Sequence, residues 1–330
     1  MPPNLIQANF SGKIAAIRRA LGRWYDRNRR DLPWRRTRDP YAIWISEIML
    51  QQTRVAAVIP YYEKFLAVFP DAAALAAAPE DRVLAMWAGL GYYSRARNLR
   101  ESAGKIAANC GFPRDFESIR KLPGVGDYTA AAISSIAFGL PHAAVDGNVR
   151  RVIVRLLNDD AADVPENARR LLDQNNPGRW NQAVMELGAT ICLPRDPRCG
   201  ECPIAKFCEA RKNGAQASIP SKRLKPVPER LERTLLIIRA RGRILLTPSP
   251  RVRGFWDLPE HVAGVDPGPK LGAFRHTITH RHYKFLVFKA LPIGKRFVAS
   301  RKLYRWVELQ KIDEIALSTT AKKALRCLKL

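Results

Sequence analysis

Four cysteines fall within seventeen residues, as Cys192-x6-Cys199-x2-Cys202-x5-Cys208. Four thiolates so close in the chain can wrap one metal centre, and in a reducing compartment the clustering favours a metal over disulfides. A four-cysteine zinc site and an iron–sulfur cluster both take this donor set, and the spacing alone leaves the choice open. The chain's 330 residues exceed the usual single-core size, so two domains are expected, the first over the first two thirds of the chain.

That domain reads as helical. Ile14, Ile17, Leu21 and Trp24 recur at helical spacing after Ser11, a candidate N-cap. Helical patterns continue at Tyr41–Gln52, Arg54–Phe69, Pro79–Leu90, Ser94–Cys110, Tyr128–Phe138, Val149–Leu157 and Asn181–Cys192, separated by Pro- or Gly-bearing joints. The composition changes over Asn213–Glu229, which is rich in Pro, Lys, Ser and Gly and reads as a linker. Beyond it a hairpin is predicted from Thr234–Arg239 and Arg243–Thr247 across Ala240-Arg241-Gly242, then strands at Tyr283–Leu291 and Leu303–Leu309, and a closing helix at Thr319–Leu328. The expected layout is a helical domain over 1–212, a linker over 213–230 and an α+β domain over 231–330.

Lys and Arg total 56 against 30 Asp and Glu, a formal net charge of +26. Such an excess repels itself unless it meets a polyanion: nucleic acid first, an anionic membrane surface second. No run approaches the roughly 18 apolar residues of a membrane span, and Met1–Phe10 lacks the basic-then-apolar order of a secretory signal. The expected location is cytoplasmic, and nucleoid-associated if the source is bacterial.

Three further constellations carry chemistry. In Leu122-Pro123-Gly124-Val125-Gly126, two glycines flank one apolar residue between helical stretches. The hairpin's backbone N–H groups can hold a DNA phosphate, although Gly-x-Gly is also common in ordinary turns. In Asp146-Gly147-Asn148, the Asp stands at the mouth of a helix; it reads as an N-cap, or as a carboxylate that stabilises a sugar cation. Glu47 lies in the apolar run Trp44–Leu50. It is either an exposed residue on a polar face or a carboxyl withdrawn from water, with the raised pKa of a general acid.

Taken together these elements resemble the adenine DNA glycosylases, within the helix-hairpin-helix superfamily whose members carry a [4Fe-4S] loop. The resemblance covers roughly residues 10–210, with Leu32-Pro33-Trp34, Ser46–Thr53, Gly89–Leu99 and Asp146–Val149 written as that family writes them. It implies a mainly α protein: an all-helical glycosylase domain with an iron–sulfur loop, then a small α+β Nudix-like domain. It implies that Glu47 protonates the departing adenine and that Asp146 stabilises the oxocarbenium-like sugar, assisted by Tyr128 and Asn148. Trp34, Arg35, Leu50 and Glu186 would form the adenine pocket. Gln52 would fill the disrupted pair, Tyr92 would wedge beside the opposite base, and Gly124, Val125 and Gly126 would hold the DNA backbone. Cys192, Cys199, Cys202 and Cys208 would hold the [4Fe-4S] cluster. Endonuclease III-type relatives place a lysine where this chain has Tyr128, so the resemblance implies a monofunctional enzyme that leaves an abasic site.

The second domain resembles the family's 8-oxoguanine reader. Gly254–Pro259 matches its tryptophan–proline signature and Phe274–His280 its recognition loop. Where the family commonly has Phe-Ser-His, this chain has Ile278-Thr279-His280, so Thr279 and His280 keep the hydroxyl and imidazole while the ring is lost. No complete Nudix hydrolase box is present, which implies binding in place of nucleotide hydrolysis. The implied partner is double-stranded DNA containing adenine opposite 8-oxoguanine or guanine, met by a monomer.

Overall fold

The computed structural model describes residues 12–109, 111–221, 227–278, 281–290 and 303–328. Ser11, Thr279 and His280 lie outside the described residues. The helices are α1 (Ile14–Asn28), α2 (Pro40–Leu50), α3 (Val55–Val68), α4 (Ala72–Ala77), α5 (Glu80–Trp87), α6 (Ser94–Ala108), α7 (Phe116–Arg120), α8 (Asp127–Phe138), α9 (Gly147–Leu157), α10 (Val164–Leu171), α11 (Pro177–Thr190), α12 (Glu209–Lys212) and α13 (Thr319–Leu325). The strands are β1 (Glu229–Ala240), β2 (Arg243–Pro248), β3 (Trp256–Asp257), β4 (Pro267–Ile278), β5 (Arg281–Ala290) and β6 (Arg305–Glu308). Among the described residues, no helix is long and apolar enough to cross a membrane.

Two compact units result. The first comprises Met1–Ala76 with Glu101–Arg223, and the second Ala77–Arg100 with Leu224–Leu330. Segment 77–100, which the helical pattern assigns to the first domain, therefore clusters with the sheet. The physical reason is local: the Tyr93 ring packs on Phe255, centroids 3.9 Å apart, and Arg97 Nη1 donates to Arg253 O at 2.6 Å. The expected linker also begins as fixed structure. Arg155 Nε donates to Ile219 O at 2.7 Å, and Ser221 N donates to Asp160 Oδ2 at 2.8 Å.

In the first unit, α11 packs against α8, α9 and α1, and α2 against α8. The core between α1, α9, α10 and α11 is built from Ile17, Leu21, Val152, Ile153, Ala183 and Leu187. α2 is apolar all round, with Tyr41–Met49 buried, as a helix surrounded by others must be. Its start is fixed by Asp39, whose carboxylate accepts from Tyr41 N and Ala42 N, with Pro40 in the first helical position.

The second unit holds a six-stranded sheet in the order β3-β2-β1-β5-β4, with β6 on β2. β1 and β5 are parallel; the other pairs are antiparallel. Leu235 and Ile237 face one apolar layer, which includes Ala321 and Ala324 of α13, while Leu236 and Ile238 face the other. The expected hairpin is present, and its turn residues Arg241 (φ 47°) and Gly242 (φ 72°) both take left-handed backbone, the requirement of a type I′ turn.

Candidate active site and cluster loop

One cavity of about 530 Å³ in the first unit is lined by Trp34, Arg35, Glu47, Leu50, Gln52, Tyr128, Asp146, Asn148 and Glu186, all nine anticipated from the sequence. Glu47 is only 6% exposed, which excludes the solvent-facing reading. Tyr128, the second residue of α8, donates its hydroxyl to Glu47 Oε2 at 2.8 Å and touches Met185 Sδ at 3.6 Å. Burial raises the Glu47 pKa to about 7; the Tyr128 hydrogen bond and the charge of Arg35 oppose the rise, and the charge of Asp146 adds to it. Burial lifts the Tyr128 phenol well above its ordinary value, with Glu47 and Asp146 adding to the effect, so it stays a neutral donor.

Asp146 caps α9. Its Oδ1 accepts from Val149 N at 2.7 Å and its Oδ2 from Asn148 Nδ2 at 2.8 Å. Capping and a site role therefore coexist, because the cap holds a carboxylate at the cavity wall. Asn148 is oriented from behind by Arg151 Nη2, which donates to its Oδ1 at 2.8 Å, while Arg151 Nε donates to Cys192 O at 2.7 Å. Gly188 of α11 lies directly beneath: a Cβ built there would stand 2.6 Å from Asn148 Cβ.

Glu186 is a different carboxylate. It accepts from Arg30 N, Arg30 Nε, Arg30 Nη2 and Arg35 Nη2 at 2.8–3.0 Å. Burial pushes its pKa upward, but the hydrogen bonds from Arg30 and Arg35 together overcome it and hold it at about 2. It stays an anion that fixes the cavity wall. Sequence reading missed Arg30, and no local signal could have found it, since its partner stands 156 residues away.

The Gly-Val-Gly hairpin lies apart from the cavity. Val125 N donates to Leu122 O at 3.0 Å, and Gly124 has φ 78°, a conformation that favours glycine. Gly126 caps α8 without a side-chain bond to its amides, beside Arg120 and Lys121. Tyr92 belongs to the second unit. It is 46% exposed, with φ 48°.

The four clustered cysteines form no disulfide, are half-buried, and lie within electrostatic reach of one another. Among the described residues, no group of three or more His, Cys, Asp or Glu side chains is arranged to hold a single metal ion. The donor set fits an anionic cluster on a separate ground. Arg155 is 2% exposed, forms no ion pair with a carboxylate among the described residues, and aims Nη1 at Cys192 Sγ across 3.3 Å. A buried cation needs a counter-charge, and a thiolate-bound cluster supplies one.

Residues 45–177 match the model of the HhH-GPD superfamily base excision DNA repair proteins, and residues 192–208 that of the iron-sulfur binding domain of endonuclease III. The chain is 45% identical to the adenine DNA glycosylase of Homo sapiens over 63% of this chain and 41% of that protein. It is 42% identical to the adenine DNA glycosylase of Mycolicibacterium smegmatis over 61% of this chain and 71% of that protein. A solved thermostable thymine-DNA glycosylase superposes with a TM-score of 0.58 at 31% identity, covering 62% of this chain and 99% of that one. The chain spans under half the length of the mammalian relatives it matches. Helical architecture, the paired carboxylates of one cavity and the cysteine loop that holds a [4Fe-4S] cluster agree with these matches: the chain belongs to the adenine DNA glycosylase family of the helix-hairpin-helix superfamily.

Proposed function

We propose that this protein hydrolyses the N-glycosidic bond of adenine mispaired with 8-oxoguanine or guanine in duplex DNA, leaving an abasic site. The observation that carries the reading is Glu47: a buried carboxyl with a pKa of about 7, hydrogen-bonded to a neutral phenol, in a cavity shared with Asp146. At neutral pH a large fraction of Glu47 is protonated, so it can give its proton to N7 of adenine as the C–N bond breaks. The bonding electrons leave with the base. Asp146 stabilises the sugar cation, and water adds to the anomeric carbon, its proton passing to the Glu47 carboxylate that gave one up to the base. This division of one acid and one anion parallels glycoside cleavage. Unstacking the adenine costs roughly a few kcal/mol.

Trp34 and Leu50 offer apolar surface for the base, Arg35 and Glu186 fix the wall behind it, and Asn148 orients Asp146. Gln52 fills the space at the disrupted pair, and Tyr92 wedges beside the opposite base. Gly124, Val125 and Gly126 hold a phosphate through backbone amides at the start of α8. When bound, the cluster gives the loop after α11 a fixed shape, from which Arg195, Arg198, Lys206 and Arg211 reach DNA phosphates. Thr279 and His280, which follow Ile278 in the sequence, offer a hydroxyl and an imidazole to the 8-oxoguanine edge.

The test is base release from duplexes with adenine opposite 8-oxoguanine, guanine, cytosine and thymine, beside a thymine-glycol duplex. Adenine release that is fastest opposite 8-oxoguanine is expected. Release of the damaged pyrimidine in its place would overturn the reading.

A further inference from the structure

Within the second unit, the turn that carries Tyr92 is clamped from the sheet side. The Tyr93 ring lies on Phe255 at 3.9 Å between centroids, tilted by 39°. The Tyr93 hydroxyl meets Thr319 Oγ1 at 3.3 Å, at the start of α13. Phe255 is 2% exposed, and the residue before it is a glycine in a backbone conformation that side chains rarely adopt. Gly254 has φ 78°, and a Cβ there would meet Leu84 at 3.1 Å and Arg97 and Glu80 at 3.3 Å. From the other flank Arg95 Nη2 donates to Leu90 O and Gly91 O at 3.2 and 3.1 Å, and its guanidinium lies 5.6 Å from the Tyr92 ring centre. Tyr92 itself is held in left-handed backbone with its ring exposed.

A buried aromatic contact one residue from a strained, exposed ring has a consequence. A single peptide bond separates the two, so movement of the Phe255 loop reorients the Tyr92 backbone. We infer that Phe255, through Tyr93, is a positioning residue for Tyr92, so that the sheet unit sets how the wedge meets the base opposite adenine. This rests on the proposed role of Tyr92. Phe255 is not among the residues that line the cavity, so its effect belongs in discrimination between opposing bases and in the stacking state of the opposite base.

The experiment measures single-turnover adenine release opposite 8-oxoguanine and opposite guanine for the full chain, Phe255→Leu, Tyr92→Ala and the double variant. A 2-aminopurine placed beside the opposite base reports unstacking on binding. Phe255→Leu is expected to lower the 8-oxoguanine-to-guanine rate ratio by roughly threefold to tenfold, the range lost with an aromatic pair, and to reduce the fluorescence rise. In the Tyr92→Ala background the same change should have no further effect. If the two effects multiply, Phe255 does not act through Tyr92 and the inference fails. If Tyr92→Ala lowers the ratio while Phe255→Leu leaves it unchanged, only the coupling is overturned. If Tyr92→Ala leaves the ratio intact, the wedge reading falls first. Should Phe255→Leu unfold, Thr319→Val removes only the hydroxyl partner of Tyr93. A loss of about twofold or more is then expected, and an unchanged ratio overturns the inference.

Discussion

The Tyr128 hydroxyl donates to Glu47 Oε2 at 2.8 Å and opposes the upward push that burial gives the Glu47 carboxyl. Its sign is therefore measurable. A general acid acts while protonated, so the rate of base release should fall as pH rises through about 7. Tyr128→Phe removes the bond that stabilises the carboxylate, and the alkaline limb should move to higher pH. A limb that moves to lower pH, or stays fixed, in single-turnover pH profiles would contradict this coupling.

Glu47→Gln keeps the shape of the side chain and removes its acidic proton. We expect adenine release to fall roughly 10²- to 10⁴-fold, the usual contribution of a general acid, with duplex affinity retained. Retention of more than about a tenth of the wild-type rate would exclude Glu47 from that role.

The same phenol separates this site from lysine-bearing relatives. It has no amine to condense with the sugar carbon, and burial keeps it protonated. Borohydride should therefore trap little covalent protein–DNA adduct, and Tyr128→Lys should trap more. A wild-type yield equal to that of a lysine-dependent glycosylase would refute a monofunctional mechanism.

Stability in acid should report Glu186. Its pKa lies at about 2 against an ordinary 4.5, because the hydrogen bonds from Arg30 and Arg35 outweigh burial. A depressed carboxylate stabilises the fold above its unfolded value, and that stability is lost as pH falls from about 4.5 towards 2. Glu186→Gln leaves Arg35 half-stranded and should cost at least about 3 kcal/mol in denaturant melts at neutral pH. The variant should also show a flatter acid dependence.

Iron removal tests the cysteine loop. Chelation should bleach the visible absorbance of the cluster and weaken DNA binding, with a shallower salt dependence as phosphate contacts are lost. Stoichiometric zinc and no iron in protein purified without oxygen would sink the cluster.

The motif residues were legible because they are local: Glu47 stands in an apolar helix, Asp146 caps another, and four cysteines are spaced for one centre. What the sequence hides is long-range or unpatterned. Arg30 meets Glu186 only because α1 and α11 pack together. β4 escaped because its first residues, Pro267 and Gly268, are exposed, and register shifts interrupt its pairing before Gly272, leaving no clean alternation. Segment 77–100 looks like any amphipathic helical pair, and its allegiance to the sheet depends on Phe255 and Arg253, about 160 positions away in the chain. Of the expected recognition loop, Phe274–Ile278 belong to β4 and pair with β5, because their alternating side chains suit a sheet edge, while Thr279 and His280 lie outside the described residues.

The closeness of Gly188 to Asn148 means that the space between α11 and Asn148, two residues after Asp146, is narrower than one methyl group. Gly188 is buried in the middle of a helix–helix seam and offers DNA nothing to touch. Gly188→Ala would nonetheless lift the α9 amino terminus away from its neighbour and swing Asp146 with it. A screen that scores residues by proximity to substrate would pass over this position, yet its smallest alteration would present as a chemical defect, with binding intact and turnover gone.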